Sequence, residues 1–120
     1  RYEEFESMKT NFIIHDNTWW WGRTINIISD DGLAHLLVQF DKDYPETAFL
    51  RGLMVHPSAR RKGFGTELMK EAERISRENG MKEIELDADL KAGWLVGWYE
   101  RLGFGEILMY EYEVMMKKFL

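Results

Sequence analysis

The first half of the chain carries the alternating, β-branched pattern of β-strands. Residues 24–29 and residues 33–40 are rich in β-forming apolar side chains, and residues 30–32, Asp-Asp-Gly, are typical of a tight turn between them. After a loop, residues 48–55 form another run of the same kind. A weaker apolar run near Phe12 predicts a further strand. The first half is therefore expected to fold as an antiparallel meander.

The second half alternates between helix and strand patterns. Apolar residues recur at three-to-four spacing over residues 64–76, which predicts an amphipathic helix. Apolar and acidic residues then alternate over residues 84–89, as in a half-buried strand. A second helix is expected to begin at a cap on Asp89 and to end before Gly103, and residues 107–119 are expected to form one long final strand. This order of elements is typical of a mixed α/β sheet.

The composition predicts a single folded domain over residues 1–120. A chain of 120 residues that is 45% hydrophobic and 14% aromatic can bury one core and is too short for two independent ones. Neither a Gly/Ser-rich stretch nor an internal repeat divides it. We therefore expect one α/β domain, with the α+β character of a mixed sheet.

The residue types present exclude several kinds of chemistry. Because the chain has no cysteine, it has no disulfide, no thiolate metal site and no cysteine nucleophile. The three histidines, His15, His35 and His56, lack the close spacing of metal ligands, so no metal is expected. A net charge of -5 argues against a nucleic-acid partner and against an anionic membrane surface, and it favours small cationic partners.

The start of the sequence and its apolar runs predict a cytoplasmic protein. No run approaches the roughly 20 apolar residues of a membrane span. Residues 1–10 are acidic and polar, where a signal peptide would be basic and then apolar. The sequence opens with Arg1 instead of methionine, so we expect the initiator to lie upstream or a processing step to have removed it.

A basic, glycine-containing turn before the helix of residues 64–76 is the strongest chemical signal. The turn consists of Arg60, Arg61, Lys62, Gly63, Phe64, Gly65 and Thr66. Glycine permits sharp turns, and the first amides of a helix carry partial positive charge, so main chain alone can hold an anion such as a pyrophosphate. Three basic side chains reinforce this in an otherwise acidic chain. Neither the dinucleotide fingerprint, which Leu68 breaks, nor the Walker loop fits the turn.

Two motifs resemble the GNAT superfamily of N-acetyltransferases. The acetyl-CoA loop of that family, with Arg or Gln, two residues, Gly, one residue and Gly or Ala, is similar to Arg60, Gly63 and Gly65. Residues 53–57 resemble the end of the family's fourth strand. Residues 98–104, Trp-Tyr-Glu-Arg-Leu-Gly-Phe, resemble the Tyr-Glu-Lys-Leu-Gly-Phe signature that ends one of its helices.

The resemblance implies a fold, a cosubstrate and a set of site residues. It covers residues 48–119 and implies a GNAT-like fold whose front part is too short for the two helices that the family usually inserts after its first strand. Acetyl-CoA is the implied cosubstrate, with its pyrophosphate on the basic turn and its pantetheine arm along a splayed fourth strand, where a main-chain N–H would polarise the acetyl carbonyl. The implied cofactor-binding residues are Leu53, Met54, Val55, Arg60, Arg61, Lys62, Gly63, Phe64, Gly65 and Thr66.

The resemblance also implies that Tyr99 is the general acid, which gives its proton to the departing thiolate. A phenol with a reference pKa of about 10 stays protonated at neutral pH, and its pKa lies close to that of the thiol. By spacing alone Tyr99 belongs to an apolar stripe with Trp98 and Leu102, so a core position is the competing interpretation.

Other positions depart from the family pattern or leave a role open. Ala92 stands where an asparagine is common, and Gly93 and Gly97 are expected to let the cofactor's arm pass close to the second helix. The fourth-strand glutamate that some relatives use as a base is absent. The candidates for the base are a water chain or one of three side chains, Asp87, Asp89 and His35.

Three functions are compatible with these residues. The first is direct acetyl transfer from acetyl-CoA to a primary amine of a small molecule or peptide. The alternatives are a CoA-binding module that has lost turnover and a structural dimerisation domain built on Trp19, Trp20 and Trp21. These tryptophans are interpreted first as filling a core or a dimer seam and second as a substrate wall. A homodimer that covers an exposed final strand is also expected.

Overall fold

Strands and helices alternate in the second half of the chain, after a first half made of strands. The computed structural model describes residues 11–120, so the acidic start, residues 1–10, lies outside the described residues. The strands are β1 (Phe12–Trp19), β2 (Gly22–Ser29), β3 (Ala34–Asp41), β4 (Thr47–Val55), β5 (Glu83–Asp89), β6 (Gly105–Met109) and β7 (Glu113–Phe119). The helices are α1 (Phe64–Glu78) and α2 (Leu95–Arg101), with a short 3-10 turn, Pro57–Ala59, ahead of α1. Within the described residues, neither helix has the length and apolar character needed to cross a membrane.

The strands form one mixed sheet of seven strands in the order β1-β2-β3-β4-β5-β7-β6. β1 to β4 form an antiparallel meander, in which β1 turns directly into β2 without an intervening helix. β5 pairs parallel with β4 on one side and antiparallel with β7 on the other, and β6 forms the edge beside β7. The connection from β4 to β5 runs through α1, as a parallel pair requires. The predicted α/β class with a mixed sheet and a shortened front part is therefore confirmed.

One face of the sheet is buried under the two helices. Ile27 and Leu36 are register partners on β2 and β3, as are Leu86 and Met116 on β5 and β7, and all four are almost fully buried. The residues that α1 adds to the same core are Leu68, Met69, Ala72 and Ile75. Burial of a side chain of this size contributes about 1.5–3 kcal/mol, so this face is a main source of stability. The three-to-four spacing in α1 and the alternation in the strands both arise from it.

The opposite face of the sheet is open and polar, which explains the acidic alternation in β5. There Glu83 accepts a hydrogen bond from the Thr47 hydroxyl at 2.9 Å and forms an ion pair with Lys117 at 2.9 Å. The hydrogen bond from Lys117 holds the pKa of the Glu83 carboxyl below its usual range, and the same bond raises the pKa of Lys117. Arg51 on β4 and Asp87 on β5 form a second pair at 3.3 Å. Because these groups are partly exposed, the pairs add little stability.

The second helix begins later than the sequence analysis predicts. α2 starts at Leu95, and the expected cap on Asp89 is wrong. The Asp89 carboxylate instead accepts a hydrogen bond from the backbone N–H of Lys91 at 2.8 Å, in a turn that follows β5. Trp94 takes the N-cap position, and Gly93 lies in the turn ahead of the helix. An Asp side chain can hold the amide two residues ahead in a turn as well as an amide at a helix start, so its presence does not locate the helix.

The single strand expected over residues 107–119 is wrong. This segment contains the end of β6, a loop and β7, and the two strands form a hairpin. The loop between them is Tyr-Glu-Tyr, residues 110–112, and the Tyr110 N–H donates to the Glu113 carbonyl at 2.7 Å. The loop contains none of the residues that usually mark a turn, such as Gly, Pro, Asn or Asp. β6 is therefore the exposed edge of the sheet on this side, and the homodimer stays a prediction.

The tryptophan triplet does not fill the core. Trp20 and Trp21 form the turn between β1 and β2, and Trp19 and Trp20 are 51% and 84% exposed. Trp19 Nε1 donates to the Thr24 hydroxyl at 2.9 Å, and the Lys42 ammonium lies 5.6 Å from the centre of the Trp20 ring. The core interpretation is therefore wrong, since the turn that joins the edge strand β1 to its neighbour β2 leaves Trp19 and Trp20 exposed. The dimer-seam and substrate-wall interpretations stay predictions.

β4 and β5 separate along their length. The two strands pair at only three positions, the last of which joins Phe49 to Glu85. Further along, the register between β3 and β4 shifts by one residue, and Gly52 lies in this bulge with a φ of 61°. A bulge bends the strand that carries it and increases the local twist. The side of β4 that faces β5 therefore has no strand partner over residues 50–55.

Replacing Gly52 by alanine is expected to destabilise the protein by about 1 kcal/mol, because a Cβ is disfavoured at a positive φ. The added methyl has room, since the nearest atom to it is Cε1 of His35 at 3.9 Å. Gly105→Ala is the matched control, because Gly105 also lies in a strand, has open space around it and has no positive φ. Urea unfolding of both variants measures the difference. Equal stability of the two variants would contradict a strained bulge.

Candidate active site

A cleft of about 760 Å³ opens where β4 leaves β5. Its walls are the end of β4, the turn ahead of α1 and the start of α2. Except for Lys62, every residue predicted to bind the cofactor lines this cleft, and Tyr99 lines it as well. The further lining residues are Ala59, Trp94, Leu95 and Trp98. The fold therefore brings the predicted residues together in one space, and their individual roles stay predictions.

The turn ahead of α1 presents backbone amides to the cleft. Gly63 is the N-cap residue of α1, with a φ of 84°, and it makes no side-chain cap. The first amides of α1 therefore have no side-chain acceptor, and the helix dipole adds partial positive charge at the same place. Arg61 has a φ of 65° and is the one non-glycine residue between 11 and 120 with a positive value. Strain of this kind costs about 1–3 kcal/mol and is concentrated at functional turns.

Arg60 connects the turn to the end of β4. Its Nε donates a hydrogen bond to the carbonyl oxygen of Val55 at 3.1 Å. Just after β4, the His56 ring accepts a hydrogen bond from the Ser58 amide at 3.1 Å, which holds the first residues of the connection. The turn is thus tied to β4 by side-chain contacts. Lys62 does not line the cleft, so its charge acts on the cleft only from a distance.

Tyr99 lies at the inner end of the cleft on α2. Its side chain is 5% exposed, and its ring centre lies 5.1 Å from that of Trp98 and 5.8 Å from that of Phe104. Burial raises the pKa of Tyr99 to about 12. The hydroxyl therefore stays protonated well above neutral pH, but it is a weaker acid than the reference phenol. The side chain of Tyr99 therefore packs in the core and also lines the cleft, and its role as general acid stays a prediction.

Two tryptophans that the sequence analysis did not assign to the site form one wall of the cleft. A Cβ built on Gly65 would lie 3.3 Å from Cζ2 of Trp98, so this glycine allows α1 and α2 to approach each other. Trp94 is 68% exposed, and its ring meets that of Trp98 at 70° with 6.5 Å between centroids. Helical spacing is the same for a side chain that enters a core and for one that lines a cleft. Periodicity therefore could not separate the two positions.

None of the three side chains considered as a base lines the cleft. Asp87 is held in its ion pair on the open face, Asp89 closes the turn after β5, and His35 lies on β3 opposite the bulge. Gly93 and Gly97 are also outside the lining, so nothing supports the expected passage of the cofactor's arm against them. Within residues 11–120, no three His, Asp or Glu side chains gather in a way that could hold a metal ion.

Solved structures of acetyltransferases share this fold. A GNAT family acetyltransferase from Elizabethkingia anophelis with acetyl-CoA bound has a TM-score of 0.72 and 13% identity, over 93% of this chain and 100% of that one. An acetyltransferase from Bacillus cereus ATCC 14579 has a TM-score of 0.66 and 19% identity, over 99% and 85%. The PaiA N-acetyltransferase from Thermoplasma acidophilum in complex with coenzyme A has a TM-score of 0.69 and 20% identity. That match covers 81% of this chain and 60% of the longer one, so this chain spans less than two thirds of its length.

The sequence shows to which family the chain belongs. The sequence model of the Acetyltransferase (GNAT) family matches residues 3–104. No curated protein is similar enough in sequence to this chain to count as a match. The matched range includes β4, the basic turn and α2, which are the elements that surround the cleft. The chain therefore belongs to the GNAT family of acetyltransferases.

Proposed function

We propose that the protein is an N-acetyltransferase that moves the acetyl group of acetyl-CoA directly to a primary amine of a small molecule or a peptide. The observation that carries the proposal is the cleft: in a member of the GNAT family, the basic turn, the unpaired end of β4 and Tyr99 line one space. Direct transfer needs no nucleophilic side chain, and the chain has no cysteine. Similar structures with acetyl-CoA and coenzyme A bound support the choice of cosubstrate.

The turn ahead of α1 fits a pyrophosphate. No atom lies within 4 Å of the position that a Cβ would take at Gly63, so the space beside the N-cap is free for an anion. The first amides of α1 donate hydrogen bonds into that space, and the helix dipole favours negative charge there. Arg60 and Arg61 line the same part of the cleft and add positive charge. These residues bind the cosubstrate and take no part in bond breaking.

The end of β4 orients the reacting group. Leu53, Met54 and Val55 lie beyond the last pair between β4 and β5, so their backbone groups on that side have no strand partner. The amides of a pantetheine arm can complete this edge as an added strand would. A main-chain N–H of the same stretch then donates to the acetyl oxygen as negative charge develops on it. One such donor contributes about 3–4 kcal/mol to transition-state stabilisation.

Tyr99 supports the departure of the thiolate. When the amine nitrogen bonds to the acetyl carbon, the carbon–sulfur bond breaks and its electron pair stays on sulfur. The Tyr99 hydroxyl, which is neutral at pH 7 and whose pKa burial raises to about 12, donates a hydrogen bond to that sulfur. A thiol has an ordinary pKa of about 8.5, so complete transfer of the Tyr99 proton is uphill. The attacking nitrogen releases one proton as it becomes an amide, and the thiolate takes up a proton to give free CoA, so the charge balances.

The proton of the incoming ammonium has no side-chain acceptor in the cleft. No His, Asp or Glu belongs to its lining in the described part of the chain, so we assign this proton to water. The same feature favours the second candidate function, a CoA-binding module without turnover. Such a module needs the turn and the edge of β4, but it needs no proton acceptor.

Turnover separates the two candidates. Acetyl-CoA is incubated with a panel of small-molecule and peptide amines, and free thiol is followed with a chromogenic disulfide. The proposed enzyme is expected to release CoA with at least one class of amine. If calorimetry shows that acetyl-CoA binds but no amine causes thiol release, the proposed enzymatic function is wrong and the CoA-binding module remains.

Tyr99→Phe is expected to lower kcat about 100-fold or more, because the donated hydrogen bond is lost.

The control for Tyr99→Phe is Tyr112→Phe. This substitution also removes a tyrosine hydroxyl, but from the exposed β6–β7 loop, and it is expected to keep full activity. The KM for acetyl-CoA is expected to stay nearly constant in both variants, because the hydroxyl acts in the transition state. An unchanged kcat in Tyr99→Phe would remove Tyr99 from the mechanism.

The alkaline pH profile tests the protonation state of Tyr99. Since the folded protein holds the pKa of this hydroxyl at about 12, the acid form persists through the range in which a free phenol ionises. We therefore expect that ionisation of Tyr99 causes no fall in kcat between about pH 8 and pH 10. In this range the pH profiles of the wild type and of Tyr99→Phe are expected to have the same shape. A descending limb near pH 10 in the wild type, absent from the variant, would show that the hydroxyl ionises normally.

Gly63→Ala tests the pyrophosphate turn, with Gly80→Ala as its matched control. Both glycines have a similar positive φ, 84° and 79°, and an added Cβ meets no atom within 4 Å at either position. The two variants are therefore expected to lose similar stability. Only Gly63→Ala places a methyl in the cleft, and we expect it to raise the Kd for CoA about tenfold by calorimetry. The same Kd for both variants would place the anion elsewhere.

A further inference from the structure

α2 carries a stepped aromatic wall whose outer part has no role in the proposed chemistry. Its inner member, Tyr99, is buried, Trp98 is partly buried, and Trp94 is 68% exposed. The ring centres lie 5.1 Å apart from Tyr99 to Trp98 and 6.5 Å apart from Trp98 to Trp94. The wall therefore runs from the inner end of the cleft to its rim.

The middle of the wall, Trp98, lies beside the turn to which the pyrophosphate is assigned. Trp98 lies against Gly65, since a Cβ there would meet its Cζ2 at 3.3 Å and its Cη2 at 3.4 Å. Trp94 stands one helical turn before Trp98 and lines the same cleft. A ligand group that leaves the turn toward the rim therefore passes the Trp94 ring.

The direction of the cosubstrate decides which group that is, and this step rests on the proposed function. The pantetheine arm runs inward from the turn, along β4 to Tyr99, because that is where the unpaired edge and the buried hydroxyl lie. The adenosine half is attached to the other side of the pyrophosphate, so it must leave the turn toward the rim. We propose that Trp94 is the platform on which the adenine ring of acetyl-CoA stacks, with Trp98 packed against Trp94.

The geometry of the pair suits this role. At 70° between ring planes, the Trp94–Trp98 contact is edge-to-face, and Trp94 stays 68% exposed while it lines the cleft. Every base has a π-face, and stacking on an aromatic side chain needs no hydrogen-bond partner. Trp94, exposed at the rim, offers the apolar surface that such stacking needs.

The test compares Trp94→Ala with the wild type on three ligands by calorimetry. The ligands are acetyl-CoA, S-acetyl-4′-phosphopantetheine, which lacks adenosine, and adenosine 3′-phosphate 5′-diphosphate, which lacks pantetheine. Trp94→Ala is expected to raise the Kd about 5- to 50-fold for the two ligands that contain adenine. The Kd for S-acetyl-4′-phosphopantetheine is expected to change less than about twofold. Trp94→Phe is expected to keep most of the affinity, because a smaller ring still stacks.

Trp20→Ala is the matched control, because Trp20 is also strongly exposed and lies in the β1–β2 turn, outside the cleft. It is expected to leave all three affinities unchanged, and circular dichroism checks that both variants fold. A second readout is fluorescence: acetyl-CoA is expected to quench the wild type more than Trp94→Phe.

The outcomes separate this inference from the function on which it rests. Equal weakening of all three ligands in Trp94→Ala, or no weakening of acetyl-CoA, would overturn the stacking and leave the proposed function in place. A wild-type protein that binds none of the three ligands would overturn the proposed function and the stacking with it.

Discussion

The separation of β4 from β5 is the constraint on which the rest of the site depends. Parallel strands normally satisfy their backbone groups along their whole length, and an unpaired buried N–H or C=O costs about 1–3 kcal/mol. Here pairing stops after Phe49, and a bulge with Gly52 at a positive φ follows in β4. The free backbone lines a cleft, where water or the amides of a ligand can satisfy it. The unpaired part of β4 is thus also the place where an extended ligand fits.

The rest of the fold packs around this opening on both faces of the sheet. On the covered face, α1 packs against β2, β3 and β4, while α2 packs against β5, so each strand of the divergent pair has its own helix. Gly65 and Trp98 then bring the two helices into contact at the mouth of the cleft. On the open face, Arg51 and Asp87 connect β4 to β5 beyond their last pair. A ligand therefore meets a preformed site, which reduces the ordering that binding requires.

The burial of Tyr99 has two opposite effects on its proposed chemistry. It fixes the ring against Trp98 and Phe104, so the hydroxyl is positioned without loss of side-chain freedom on binding. It also raises the pKa to about 12, which keeps the proton in place but makes the hydroxyl a poorer acid. The balance favours hydrogen-bond donation to a developing thiolate over early and complete proton transfer.

The sequence by itself determined the elements whose signals are local. The alternation in β5, the three-to-four spacing in α1 and the glycines of the basic turn each reflect the conformation of a few neighbouring residues. The resemblance to the GNAT family supplied the set of cofactor-binding residues, and all of them except Lys62 line one cleft. Only the tertiary structure decided where α2 begins, that residues 110–112 form a loop, and that Trp20 and Trp94 are exposed. An Asp such as Asp89 is common both in turns and at helix caps, and an aromatic stripe on a helix can lie in a core or line a cleft. Which of these structures forms depends on the residues that pack against the segment. Those partners come from distant parts of the chain, and no local pattern records them.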